Sequence, residues 1–496
     1  LFIKELDCEV FKNINCKNLP SLRRNIVYQF LYELLIVFIP LFTIPYVSRV
    51  LGAENIGLFS YTYAVANYFV LFANLGIKNY GSRTIAMVRN NKEELNRNFS
   101  EILSIHIIFS IIVIFVYLVL LFFFVEDNLV IFLIQSIYIF AAVFDINWFF
   151  FGIEKFKLTV GRNTLVKILS VFLVLVFVKT QTDLWIYALI LALSVFVGQS
   201  VVWFALKQYV SWRRPSWANM KQHIRPLFVL FLPILALSLY KYMDKIMLGS
   251  ISSNVQVGFY ENAEKIINVP MSLIMAFGVV LMPRIANMVT SKDKGEVFKL
   301  IDMSMEAVML LAIAISFGLA GISFVLAPIF FGYEFEECGI LIMGLAVTVP
   351  FMAFANVIRT QYLIPYKEDK IFVVSLFLGA AVNLIVNIIL IPYMAARGAV
   401  IGTIFAEIIV CIYQSYFVRK KIFIKKYLLN TIPPILIGIV MFVFVFQIGN
   451  VMNINIVTLI LQLVVGMFIY AVGVFLLMLK SRTRLMVLLR KFVVRY

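Results

Sequence analysis

The sequence predicts an all-α polytopic membrane protein. It should have about fourteen transmembrane helices, in two parallel six-helix lobes around a central cavity, with two further helices at the C-terminal end. Three observations predict this. Of 496 residues, 63% are hydrophobic and only 14% charged, with a mean hydropathy of +0.98, a composition foreign to soluble domains. Apolar runs of about 20 residues, enough to cross a bilayer, recur from end to end. The Lys and Arg residues gather in every second loop, as alternating crossings require.

The elements follow in order. Residues 1–24 lack a long apolar core and read as a cytoplasmic leader rather than a signal peptide. Spans near 25–47 and 58–77 flank the turn Leu51-Gly52. The third and fourth lie near 100–125 and 129–151, the fifth and shortest near 164–178, and the sixth near 185–206. Together, 25–206 forms the first lobe. The second lobe, 226–418, holds spans near 226–248, 258–282, 300–326, 338–363, 371–391 and 399–418. Two more, near 428–447 and 456–479, make up 428–479, and 480–496 is a basic cytoplasmic tail.

Loop charge sets the orientation. Loops with Arg23, Arg83, Arg89, Lys155, Arg162, Lys167, Arg213, Arg284, Lys367 and Arg419 share one side, while the opposite loops hold only Arg49, Lys179 and Arg397. Both termini are therefore expected in the cytoplasm. The net charge of +17 is then a topology signal. No basic face is interleaved with aromatics on a soluble module, so nucleic acid is not an expected partner.

A weak internal repeat sets the architecture. Gly57-Leu-Phe59 opens the second span and Gly258-Phe-Tyr260 the eighth; Arg83 and Arg284 follow at equal separation. In that register Asn67 matches Asn268, and each helix follows a Leu-Gly turn, Leu51-Gly52 or Leu248-Gly249. Six spans per unit return the chain to the same side. The units are thus parallel, with a cavity between them.

Six ionisable residues stand out. The seventh span carries Lys241, Asp244 and Lys245, and the eighth Glu261, Glu264 and Lys265. A charge at a helix centre in hydrocarbon costs about 2.5–3.5 kcal/mol on insertion scales, so such residues face partners or water. Glu261, Glu264, Lys265 and Asn268 lie on one helical face. These residues form either an ionic wall that meets an anionic cargo or a neutral structural network of three acids and three bases. Lys241, Lys245, Lys265, Asn268 and Asn67 are the candidates for binding phosphate or sugar. Asp244, Glu261 and Glu264 would balance charge. Asp145, Glu33 and Glu407 are ion relays or buried structural acids. Asn383 and Asn387 share a face that can glue helices together. His106 reads as a satisfied histidine near the interface.

Enzyme chemistry finds no foothold. The sequence contains no phosphate-binding loop and no nucleophile elbow. Cys8, Cys16, Cys338 and Cys411 have no metal-ligand spacing.

Several strings together carry a family resemblance. They are Arg49-Val-Leu-Gly-Ala-Glu-Asn-Ile-Gly57, Asp145-Ile-Asn-Trp148-Phe-Phe-Phe-Gly152-Ile-Glu154-Lys-Phe156, Asp244-Lys245-Ile-Met-Leu-Gly249, Gly258-Phe-Tyr-Glu261-Asn-Ala-Glu-Lys265, Leu281-Met-Pro283-Arg284, and Asn383-Leu-Ile-Val-Asn387 leading to Gly398, Gly402 and Glu407. The chain resembles the Wzx-type O-antigen and polysaccharide repeat-unit flippases, a branch of the MATE-like exporter superfamily. The resemblance implies alternating access that moves an undecaprenyl-diphosphate-linked oligosaccharide between leaflets of a bacterial plasma membrane, for O-antigen or capsule synthesis. It implies no cofactor beyond a coupling H+ or Na+. It also implies membrane lipids, the lipid-linked glycan and other polysaccharide-assembly proteins as partners. Related lipid-linked-precursor flippases use arginines in the cavity; here the candidates are lysines, which bind phosphate as point charges. Competing readings are a small-molecule exporter of the same fold, a membrane-embedded polymerase or glycosyltransferase, and a non-transporting assembly scaffold.

Overall fold

The computed structural model describes the backbone of residues 19–290 and 294–480, with most side chains from Phe42 onward. The leader's first 18 residues and nearly all of the basic tail lie outside the described residues. Helix α1 (Leu19–Asn74) holds the first two spans as arms on either side of Gly52, whose φ of 77° and ψ of 172° break the helix. Only glycine adopts that conformation readily, so the turn expected at Leu51-Gly52 is a kink. Next come α2 (Ile77–Val88), α3 (Lys92–Phe124), α4 (Leu129–Val143), α5 (Asn147–Gly152), α6 (Phe156–Phe177) and α7 (Leu184–Leu206). At the head of α3 the Asn91 side chain accepts from the Glu93 and Glu94 amides, with both acids in the first turn, as helix N-termini favour.

The second half runs α8 (Trp217–Ile251), α9 (Asn254–Thr290), α10 (Lys294–Phe331), α11 (Cys338–Ala346), α12 (Thr348–Ile358), a π-helical turn Arg359–Leu363, α13 (Asp369–Met394) and α14 (Ala396–Val418). The added pair is α15 (Ile424–Val451) and α16 (Ile456–Lys480), which pack on α10 through Tyr470 Oη donating to the Leu310 carbonyl at 2.7 Å. Twelve described stretches are long and apolar enough to cross a membrane. Dividing the first at Gly52 and adding α6 gives fourteen, and the protein is a multi-pass, all-α membrane protein.

Two local expectations need correction. The fifth span begins at Phe156, not near 164. Arg162, Asn163 and Lys167 lower its hydropathy, yet all lie within the helix, so Lys167 is not a loop cation. The Leu248-Gly249 pair is also helical; the chain breaks later, between Ile251 and Asn254. Gly249 is small for another reason: a Cβ there would lie 2.3 Å from the Tyr61 ring.

The repeat is visible as reciprocal contact. A Cβ on Gly57 would fall 1.6 Å from the Asn254 carbonyl oxygen, and one on Gly258 would fall 2.1 Å from that of Ala53. Each glycine therefore meets the residue four positions before its counterpart. Tyr61 lies on Gly249, and its counterpart Asn262 donates to Ser48 Oγ at 3.0 Å. Such pairing is what a two-fold relation between parallel units produces.

These contacts seal one end of the molecule, the end of the cation-poor loops, called the outward end below. Ala53 N donates to Glu334 Oε1 at 2.9 Å, and Arg49 Nη2 to the Ile329 carbonyl at 2.5 Å. One apolar core, including Leu51, Ile56, Leu248, Val257, Phe335 and Leu341, joins both halves there. The inward end of the first half has a separate core around Ile85, Phe99, Trp148 and Phe149. Met220, Leu227 and Phe231 of α8 belong to that core, whereas Met247 and Leu248 belong to the outward one. Helix α8, with Pro226 and Pro233 inside it, thus passes from one half to the other along its length.

Candidate functional site

The charged stripes of α8 and α9 meet as a buried ionic chain. Lys245 Nζ lies 2.5 Å from Glu261 Oε2 and 2.8 Å from Glu264 Oε2. Lys265 Nζ lies 3.1 Å from Glu261 Oε1. Spacing explains the arrangement: Glu261 and Glu264 are one turn apart on α9 and bracket one ammonium on α8. The Lys245 side chain is 10% exposed and that of Lys265 33%. Lys245 is thus a structural counter-charge, while Lys265 keeps an open side.

Asp244 points elsewhere, since consecutive helical residues diverge by about 100°. Its carboxylate accepts from Tyr260 Oη at 2.6 Å, Thr403 Oγ1 at 2.9 Å and Asn387 Nδ2 at 2.5 Å. Asn387 Nδ2 also reaches Asn383 Oδ1 at 3.2 Å, and Asn387 Oδ1 is buried without a hydrogen-bond partner. A Cβ on Gly402 would sit 2.1 Å from that oxygen, so glycine leaves room for it. None of the ion pairs among the described residues reaches Asp244. The result is a buried carboxylate among neutral side chains, with Asp244, Asn383, Asn387 and Thr403 supplying oxygens. Oxygen donors suit a hard cation or a proton.

The remaining predicted residues are dispersed. Lys241 is exposed, its Nζ 5.3 Å from the Tyr242 ring centroid. Asn268 is exposed too. Asn67 donates to the Tyr63 carbonyl at 2.8 Å, within its own helix. Tyr63 belongs to an aromatic cluster with Phe59, Tyr138 and Tyr187. Asp145 Oδ1 accepts from Asn147 N at 3.0 Å and Asn147 Nδ2 at 2.7 Å, tying down the break between α4 and α5. Glu407 is buried on α14, within electrostatic reach of Arg359. The Glu33 side chain lies outside the described residues. His106 is fully buried, and neither ring nitrogen has a hydrogen-bond partner, unlike the satisfied interfacial histidine expected.

Residues 22–289 match the family of polysaccharide biosynthesis proteins. The chain belongs to this family. Among the family member's relatives, a candidate O-antigen transporter of Shigella dysenteriae is 24% identical over 79% of this chain and 99% of its own length. Another from Escherichia coli (strain K12) is 26% identical over 82% of this chain and 98% of its own. The lipid II flippase MurJ of Bacillus subtilis is 28% identical over 41% of each. The fold resembles a solved structure of MurJ in an inward closed conformation, with TM-score 0.71, 15% identity and coverage of 90% of this chain and 97% of that one. It also resembles an inward-facing multidrug resistance MATE family transporter, with TM-score 0.62, 14% identity and coverage of 79% and 97%.

Within this family member, sequence reasoning missed Tyr260 and Thr403, which carry no charge and no unusual spacing. It also missed a buried link at the inward end: His223 Nε2 lies 2.9 Å from Glu101 Oε2, and His223 Nδ1 2.6 Å from Tyr80 Oη. Glu101 stands one residue inside the expected third span, and that hint is its only signal.

Proposed function

We propose that the protein translocates undecaprenyl-diphosphate-linked oligosaccharide repeat units from the cytoplasmic to the outer leaflet of a bacterial plasma membrane, with both termini in the cytoplasm. Transport proceeds by alternating access, coupled to H+ or Na+. One observation carries the reading: adjacent residues of α8 serve two different polar sites. Lys245 anchors the ionic chain that presents Lys265, while Asp244 enters the oxygen cage with Asn387 and Thr403. A cation or proton at Asp244 changes the charge one residue from the cargo-facing chain, so α8 links the two sites physically. Relatives named for O-antigen transport and lipid II flipping support a glycan on a lipid diphosphate as cargo.

In this mechanism Lys265 and Lys241 meet the diphosphate as point charges. Glu261 remains neutralised by Lys245 when Lys265 turns to the cargo. The sealed outward end is the state that loads from the cytoplasmic side, and the sugar chain occupies the cavity while the lipid tail stays in the bilayer.

The test is the leaflet location of the lipid-linked repeat unit in a strain lacking its own flippase. Expression of the protein should restore outer-leaflet glycan and surface polysaccharide. Lys241→Ala, Lys265→Ala and the double variant should reduce both at matched expression. Full surface polysaccharide in all three would overturn the lysine assignment, and no restoration by the unmodified chain would overturn the transport reading.

A further inference from the structure

A cavity of about 160 Å³ lies between α1, α6, α7 and α9, beside the outward seal. Its polar lining includes Lys167 on α6, Lys265 on α9, Ser48 and Ser60 on α1, Tyr187 on α7 and Asn262 on α9. No carboxylate lines it. Lys167 stands at the middle of the helix Phe156–Phe177, roughly 15 Å from either end at 1.5 Å per residue. Its ammonium is too deep to snorkel to a membrane surface. None of the ion pairs among the described residues engages Lys167. Lys265 shares Glu261 with Lys245, which also pairs with Glu264; two acids balance two lysines in that chain, and Lys167 is the added positive charge.

We infer that Lys167 and Lys265 form an inter-lobe site for a phosphate group, and that Lys167 supplies the cation from the first lobe. The cavity's size suits a phosphate or diphosphate with a few waters, at about 30 Å³ per water. Lys167, engaged by none of the described ion pairs, beside the ammonium of Lys265 favours an anion; the hydroxyls of Ser48, Ser60 and Tyr187 complete its hydrogen bonds. The site joins residues of both lobes, and the Asn262–Ser48 bond of the seal lies in its wall. It is therefore whole only while the outward end is closed. Opening that end parts the lysines, weakens the site and releases the anion on that side. Identifying the anion as the cargo's diphosphate rests on the proposed flippase reading; the phosphate site itself does not.

The experiment measures binding to the full chain in nanodiscs. One arm titrates inorganic pyrophosphate, and the other incorporates undecaprenyl diphosphate into the bilayer. The expected result is binding in at least one arm that falls about tenfold or more in Lys167→Ala and stays within about threefold in Lys167→Arg, a change of about 1.4 kcal/mol per decade. Lys167→Gln, with unchanged melting temperature, separates charge loss from misfolding. The responding arm identifies a lipid headgroup or a free phosphate. Unchanged affinity in Lys167→Ala, or no binding in either arm, overturns the site. Lys167-dependent binding in a protein that moves no lipid-linked glycan keeps the site and overturns the flippase reading. Unimpaired binding and transport in Lys167→Ala does the reverse.

Discussion

Gly57 and Gly258 occupy equivalent positions in the two halves, and each lies against the backbone of the other's helix. Neither leaves room for a side chain, because the atoms in the way are the carbonyls of Asn254 and Ala53. A carbonyl in a helix cannot rotate aside as a side chain can. Close approach of two backbones is the common use of glycine between membrane helices.

Gly57→Ala should therefore keep the outward end from closing. Overpacking of this kind costs about 1–3 kcal/mol, enough to shift a two-state equilibrium several-fold or more. A cysteine placed at Ser60, which is 3% exposed, should become reactive to a membrane-impermeant thiol reagent in the Gly57→Ala background. Equal labelling with and without that substitution would show that the seal tolerates the methyl.

Lys245→Ala should damage folding more than it damages cargo recognition. It leaves Glu261 and Glu264 with only Lys265 nearby. Breaking a buried ion pair by removing one partner costs about 3–5 kcal/mol. The melting temperature in detergent should fall clearly, and the triple variant Lys245→Met, Glu261→Gln, Glu264→Gln should recover most of it. A Lys245→Ala protein as stable as the parent would contradict the structural role.

Asp244→Asn should abolish any stabilisation by the coupling ion. A ligand that binds only the folded state adds about 2.7 kcal/mol at a hundredfold excess over its Kd. Melting curves in sodium and potassium, and across pH, should separate for the parent chain and coincide for the variant. Identical ion dependence in both would show that Asp244 binds no ion.

His223→Ala should loosen the inward end. It strips Glu101, 1% exposed, of its imidazole partner and Tyr80 of its acceptor. An unsatisfied buried group costs about 1–3 kcal/mol. Hydrogen exchange over residues 217–231 should accelerate, and His223→Gln, which can still donate to Glu101, should restore part of the protection. Unchanged exchange in His223→Ala would mean that apolar packing alone holds this end of α8.

Much of the site was legible because charges in apolar runs are conspicuous. Lys245, Glu261, Glu264 and Lys265 announced themselves by cost and by spacing, and they form one ionic chain. Their division of labour was not legible. Asp244 and Lys245 adjoin in sequence, yet only the positions of α13 and α14 send Asp244 to Asn387 and Thr403. Lys167 was hidden because polar neighbours made its span look shorter than it is. His106 was read as a satisfied interfacial histidine and His223 was passed over, because a lone histidine carries no pattern that tells its partners.

By itself the sequence determined what each segment is: about fourteen apolar spans, most of their breaks, their alternating loop charge and a repeat of two glycine-led helices. Length, hydropathy and backbone freedom are local properties, written residue by residue. Tertiary structure alone decided which lysine is buried by carboxylates, which acid stands among neutral oxygens and which lysines from opposite lobes share a cavity. Those depend on distances between helices far apart in the chain, and burial and pairing exist only once the helices have packed.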